Sequence, residues 1–177
     1  MARYFPVAPC PTSLKVISLV ATLVLVGLSY AACRAVPTAG GFTHDFGLAV
    51  AFLPLAVVIG SLLFIVNGYR VTSARLSVRR LLTSTCVPLT GLKRVWVEPA
   101  VCKGSVRVFG NGGLYSFCGW FFSKRLGRYR LFATDLRNTV VLQFPGRTIV
   151  ISPGAPQAFV EYLRQLIPGV EVAPAGP

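Results

Sequence analysis

Two stretches of this chain carry no charged side chain: Val16 to Cys33, 18 residues, and Phe46 to Tyr69, 24 residues. Crossing the hydrocarbon core of a bilayer takes about 20 apolar residues at ~1.5 Å rise each. Both stretches are long enough. Lys15 and Arg34 bracket the first, and Asp45 and Arg70 bracket the second. The linker 34–45 holds Pro37, Gly40 and Gly41, so a short external turn between two antiparallel spans is expected. Neither span contains an ionisable residue of the kind that transport paths place at membrane depth. Residues 1–69 therefore read as an anchor. Small residues four apart, Gly47/Ala51 and Ala56/Gly60, let helix backbones approach closely. That spacing suits packing within the hairpin or homo-oligomerisation. Pro54 removes a backbone donor from the second helix and should bend it mildly.

Charge sets the orientation. Cytoplasmic flanks of spans are enriched in Lys and Arg. Arg3 and Lys15 precede the first span, and Arg70, Arg75, Arg79 and Arg80 follow the second; the linker has only Arg34, offset by Asp45. Both termini are expected in the cytoplasm, with the chain a multi-pass protein of a bacterial cell membrane. A cleaved secretory signal ending at Tyr30-Ala31-Ala32-Cys33 is the alternative. Tyr30 and the long, Pro-rich leader fit that poorly.

The rest of the chain is different. Residues 70–177 hold 15 basic and 4 acidic residues, a net +11 of the +13 carried by the whole chain. With 54% apolar residues overall, disorder is excluded. The five cysteines, Cys10, Cys33, Cys86, Cys102 and Cys118, form no C-x-x-C pair. With one histidine they do not supply zinc spacing, and free thiols are expected.

After Tyr69 the apolar period shortens to two. Tyr69–Ser73, Arg75–Arg80, Leu92–Glu98, Val106–Phe109, Tyr115–Phe122, Arg128–Thr134, Thr139–Phe144 and Arg147–Ile151 read as strands. Gly110–Gly113, Asp135–Asn138 and Pro145-Gly146 read as turns. About seven short strands in some 85 residues mean a small barrel or sandwich. Phe159, Val160, Leu163, Leu166 and Ile167 then recur at helical spacing. Such a helix must bury its stripe against the sheet and is expected to cap the barrel. Residues 168–177 read as a flexible tail.

Meandering strands closed by a C-terminal helix resemble the pleckstrin-homology (PH) superfold. Gly110-Asn111-Gly112-Gly113-Leu114, Gly119-Trp120-Phe121, Leu126-Gly127, Phe132-Ala133-Thr134-Asp135, Ile149-Val150-Ile151-Ser152-Pro153 and Phe159 are similar to the pattern of a bacterial PH-domain family. The resemblance covers about Tyr69 to Ile167. Gly154 departs from it, because an acidic residue is commoner after the Ser-Pro. It implies a PH-like domain over 70–167 and brings no catalytic residue.

An enzyme needs positioned acids, bases or nucleophiles. His44 falls on the external linker, and Glu98, Asp135, Glu161 and Glu171 are isolated. No catalytic residue, cofactor or metal is expected. The segment Gly119–Arg130 is the most unusual: Trp120, Phe121 and Phe122 precede Lys124, Arg125, Arg128 and Arg130. Read as a membrane-facing loop, it sets aromatics at the headgroups and cations on anionic lipid, at ~1 kcal/mol each. Read as a hairpin, it puts Trp120 and Phe122 in the core and the cations in solvent. Arg70, Arg75, Arg79 and Arg80 should lie at the leaflet surface. The overall expectation is a two-helix transmembrane hairpin carrying a mainly-β cytoplasmic domain. That domain serves as a non-enzymatic binding or scaffolding module for a protein partner. The alternative is an anionic phospholipid reader using the 120–130 segment with Trp120, Phe121 and the basic residues. Nucleic acid is disfavoured, since no reading helix is evident.

Overall fold

The computed structural model describes residues 2–36, 41–99 and 101–173. Two long helices come first, α1 (Thr12–Ala35) and α2 (Phe42–Leu62). Both are long and apolar enough to cross a membrane, and they pack on each other. Their outward faces remain apolar: Ile17, Leu23, Phe46, Leu53 and Ile59 are all exposed. Ala51 is buried, and Gly47 lies against Val36, where a Cβ would be 3.3 Å from that side chain. The first small pair thus serves helix packing within the hairpin. Ala56 is exposed, and a Cβ on Gly60 would meet nothing within 4 Å. Pro37 and Gly40 of the expected turn fall outside the described residues.

The second helix departs from expectation at both ends. It begins at Phe42 and stops at Leu62, and Val66–Val71 is strand β2 rather than the last turns of a span. The uncharged run to Tyr69 hides the change, because Val66 and Tyr69 are buried in the domain core instead of facing lipid.

The expected barrel is not closed. The strands form two sheets, one in the order β1-β2-β3-β4 and one in the order β11-β5-β9-β10-β8-β7-β6. The first contains β1 (Arg3–Pro6), β2, β3 (Arg75–Arg80) and β4 (Ser84–Pro88). The second contains β5 (Arg94–Val97), β6 (Val106–Leu114), β7 (Ser116–Ser123), β8 (Gly127–Ala133), β9 (Val140–Phe144), β10 (Arg147–Ile151) and β11 (Glu171–Val172). Eight matches to the sequence reading stand beside three additions, β1, β4 and β11. The supposed tail therefore supplies a strand: Glu171 and Val172 pair with Arg94 and Val95. The Gly110–Gly113 run is not the turn. It lies inside β6, and the chain reverses at Tyr115, whose φ is 66°. Gly110 and Gly119 are opposite each other, and a Cβ on either would strike the other strand's backbone.

β1 changes the domain boundary. It precedes the first helix yet pairs antiparallel with β2, Arg3 with Val71 through Pro6 with Gly68. Phe5 is buried and meets Phe159 edge-on at 5.0 Å. Beyond β1, the Ala8 N–H donates to the Ser152 carbonyl at 2.8 Å, and the Thr134 hydroxyl donates to the Ala8 carbonyl at 2.7 Å. The Gly154 N–H reaches the Pro6 carbonyl at 2.9 Å. The Ser-Pro landmark thus clasps the N-terminal segment. Residues 3–8 belong structurally with the domain, and α1 leaves it within a few residues of where α2 returns.

The main core lies between the sheets and α3 (Pro156–Leu166), around Tyr69, Leu76, Phe132, Leu142, Phe159 and Leu163. Tyr69 is fully buried. Its hydroxyl donates to the Phe132 carbonyl at 2.7 Å and accepts from the Ser152 N–H at 3.1 Å. Burial pushes its phenol well above the ordinary range, against the opposing pull of Ser152. A second core, with Trp96, Phe121, Tyr129 and Leu131, fills the other face of the larger sheet.

Phe5→Ala should lower stability by about 3–5 kcal/mol, the usual cost of emptying a packed aromatic site. Tyr4→Ala, on the exposed side of the same strand, should cost under about 1 kcal/mol. Denaturant unfolding of the detergent-solubilised chain compares them. Equal effects would mean that β1 is not part of the domain.

Candidate functional site

Strands β7 and β8 carry the segment singled out by sequence, and side-chain alternation divides it. Cross-strand partners share a face. Phe121 pairs with Tyr129, and their rings stack with centroids 6.1 Å apart. Phe121 is only 7% exposed and belongs to the second core, so it is not available to a membrane. Phe122 is not in the core, because it is 49% exposed. A run of three aromatics gives no parity by itself, since both faces of β7 have apolar neighbours.

The other face forms two rows across three strands. One is Val106, Phe122 and Arg128; the second is Phe109, Trp120 and Arg130. Val106 and Phe109 are 65% and 73% exposed, on the edge strand of the sheet. Trp120 is half-buried beneath two guanidiniums, Arg128 at 4.5 Å and Arg130 at 5.4 Å from its ring. Each such contact is worth about 0.5–2 kcal/mol.

The stack continues inward. Arg130 also lies over Phe132 at 5.1 Å, and Arg80 lies over Phe132 and Phe64 at 5.8 Å each. Phe64 is two residues beyond α2. An unbroken series of rings and guanidiniums therefore runs from the end of α2 to the open face of β6–β8. The Ser116 hydroxyl donates to the Phe64 carbonyl at 2.8 Å and fixes the near end of β7 there. On the same side, the Tyr115 N–H donates to Ser18 Oγ at 2.9 Å, and the Tyr115 and Thr22 hydroxyls meet at 2.5 Å.

The remaining expected residues do not join this series. Lys124 and Arg125 are in the turn at the far end of β7, whose last residue, Ser123, is seven residues from Ser116, or about 23 Å of extended chain. Arg125 pairs with Glu98 at 2.6 Å, and Glu98 also accepts from the Trp96 indole at 2.8 Å. Arg70, Arg75 and Arg79 point outward from the smaller sheet, with Arg75 at its end away from α2. Of these four arginines, only Arg80 turns inward. The β3–β4 turn beside it exposes Leu81 and Leu82.

The thiols are unpaired with one another. Burial raises Cys118, with Arg80 and Arg130 pulling the other way. Burial pushes Cys102 up to about 11, with the Tyr129 hydroxyl opposing. Neither is poised as a nucleophile at neutral pH. Among the described residues, no three His, Cys, Asp or Glu side chains gather as a metal site.

Two sheets and a C-terminal helix define a small, mainly-β module with an aromatic-basic open face. The sequence matches the family of bacterial PH domains over residues 67–167, more than half of the chain. The chain belongs to that family. A search of curated proteins finds no match. PH domains are generally non-catalytic binding modules, which fits the chemistry of this face. Sequence reading missed Val106 and Phe109 as members of the surface, and Phe64 and Phe132 as members of the stack behind it. The clean alternation of Val106–Phe109 signalled a strand but not that it lies at an edge.

Arg125→Ala removes the cation beside a buried carboxylate, and should cost about 1–3 kcal/mol in unfolding experiments. Lys124→Ala in the same turn should cost almost nothing. Alkylation followed by mass spectrometry should modify exposed Cys86 at pH 8, while folded Cys102 reacts only as pH approaches 11. Reaction of Cys102 together with Cys86 at pH 8 would contradict its burial.

Proposed function

We propose that the chain is an integral protein of the bacterial cytoplasmic membrane, anchored by α1 and α2 with both termini cytoplasmic. Its PH-like domain, made of residues 3–8 and 66–173, serves as a non-enzymatic docking module for a protein partner. Three observations support the anchor: helix length, exposed apolar faces, and basic flanks on the domain side. The docking reading rests on the open β6–β8 face. Interface centres are rich in aromatics and arginine, and here Phe109, Phe122 and Val106 surround Trp120 with Arg128 at the margin. A partner with an apolar strip edged by carboxylates fits this surface, and another membrane protein is within reach.

A lipid role has one specific observation in its favour. Arg80 stacks on Phe64 at the foot of α2, beside exposed Leu81 and Leu82. That puts a cation and two leucines where a leaflet surface would be. The Lys124–Leu126 turn, about 23 Å away along β7, has no such position.

Purification of the full chain from native membranes in mild detergent tests the docking reading. A stoichiometric second protein should accompany the wild type and the Lys124→Ser variant. It should be lost from the Phe109→Ser/Phe122→Ser variant. Retention by that double variant would rule out this face, and a particle containing only copies of this chain would make the partner a second copy.

A further inference from the structure

We propose that the gap between the two sheets, along the unpaired edge of β4, is a binding site for a phosphate group. Three guanidiniums from three elements lie along it, and two of them, Arg130 and Arg147, line one cavity. Arg80, at the end of β3, donates to the Thr85 hydroxyl near the start of β4. Arg147, at the start of β10, donates from Nη2 to the Pro88 carbonyl at the end of β4, at 3.0 Å. Arg130 of β8 faces the same gap. With Arg147, Thr148, Trp120, Val87 and Ile149 it lines a cavity of about 180 Å³, several times the ~30 Å³ share of a liquid water.

Among the described residues, no carboxylate compensates this charge. The ion pairs are Arg94–Glu171, Arg125–Glu98 and Arg164–Glu161. Asp135 is occupied by the Arg137 N–H and the Asn138 amide, and Asp45 is on α2. Arg80, Arg130 and Arg147 have no carboxylate partner. The Nε atoms of Arg80 and Arg130 are buried without a hydrogen-bond acceptor. Buried polar groups are rarely left so, and an unplaced ion is one of the few reasons. Like charges brought together at the edge of a core repel more strongly than in water. A tetrahedral oxyanion answers both deficits, because it brings negative charge and several acceptors suited to the guanidinium fork. Trp120 and Ile149 supply apolar wall.

The phosphate has two sources of the same chemistry. One is a phospholipid headgroup, since the Arg80 end of the gap abuts Phe64 and the end of α2. The other is soluble phosphate or a phosphate ester. The site adjoins the docking face and shares Trp120 and Arg130 with it, but docking is read at Phe109 and Phe122 and phosphate at Arg147; it draws on the lipid reading only for the first source.

The test uses the full chain, because β1 precedes α1 and would be lost from any fragment that starts at the second helix. Delipidated protein in an uncharged detergent is titrated with inorganic phosphate against chloride at constant ionic strength, following tryptophan emission and thermal unfolding. A saturable change for phosphate is expected, weakened at least about tenfold by Arg130→Gln and by Arg147→Gln, the loss of one charge-assisted contact. Arg75→Gln, on the outward face, should bind like the wild type. In a second arm, nanodiscs of phosphatidylcholine are compared with nanodiscs containing phosphatidylglycerol. If the headgroup is the source, a stoichiometric phosphatidylglycerol survives delipidation and phosphate displaces it. If the phosphate is soluble, the first arm succeeds and the second shows no retained lipid. If Arg130→Gln does not fold, Arg130→Lys keeps the charge without the fork and should still bind more weakly while melting near the wild type. Equal responses to phosphate and chloride, or unchanged binding by the arginine variants, would overturn the site. Loss of phosphate binding while the Phe109 and Phe122 surface still docks its partner, or the reverse, separates the two proposals.

Discussion

The antiparallel pairing of β1 with β2 holds this architecture together. Four residues before α1 are stitched to the strand after α2, and Phe5 is sealed beneath Phe159. The start of one apolar helix and the end of the other are therefore fixed at the same end of one domain. A hairpin follows from that closure, without any need for the helices to find each other by packing alone. In a membrane, it obliges both outer helix ends to share a side with the domain. The two helices join the domain at two points, through the short connections after β1 and before β2.

That double attachment gives the side chains near the helices their meaning. Because Ser116 bonds to the Phe64 carbonyl and Tyr115 to Ser18, the β6–β7 hairpin points its turn at the two helices. Everything on β7 and β8 is then ranked by distance from α2. Arg80, Phe132, Arg130, Trp120 and Arg128 form a graded series leading outward, and the Lys124–Leu126 turn comes last. A high net charge alone says little about partners. Its distribution says more: Arg94, Arg125 and Arg164 meet carboxylates, Arg70, Arg75 and Arg79 face outward, and Arg130 and Arg147 line a gap beside β4, with Arg80 bonded near the start of that strand.

Much of the fold was legible in the sequence. Two uncharged runs marked the helices, alternation marked eight strands, and the 159–163 stripe marked α3. Where legibility failed, the reason was local. Val66 to Tyr69 continues the uncharged run of the helix before it, so a charge count does not register the passage from helix to strand. β1 is four residues long and ends in proline, and β11 is two residues within a Pro- and Ala-rich end. Ser84–Pro88 has a single large apolar residue, Val87, so it lacks the pattern of a strand. The candidate surface was half legible. Trp120, Arg128 and Arg130, read from the sequence as candidate lipid contacts, stack on one another, but the parity of Phe121 and Phe122 depends on which face of the sheet is covered, and a one-residue step reverses it. Phe64, Phe109 and Arg147 reach the surface and the gap only through strand pairing over long sequence distances.

The proposed position of the domain on the cytoplasmic face is tested most directly with a variant that keeps only Cys86, which is exposed on β4. Spheroplasts carrying this variant are treated with a membrane-impermeant maleimide before and after permeabilisation. The expected result is no labelling of Cys86 until the membrane is opened, then rapid and complete labelling. Labelling in intact spheroplasts would put the domain on the outer side and contradict the proposed orientation.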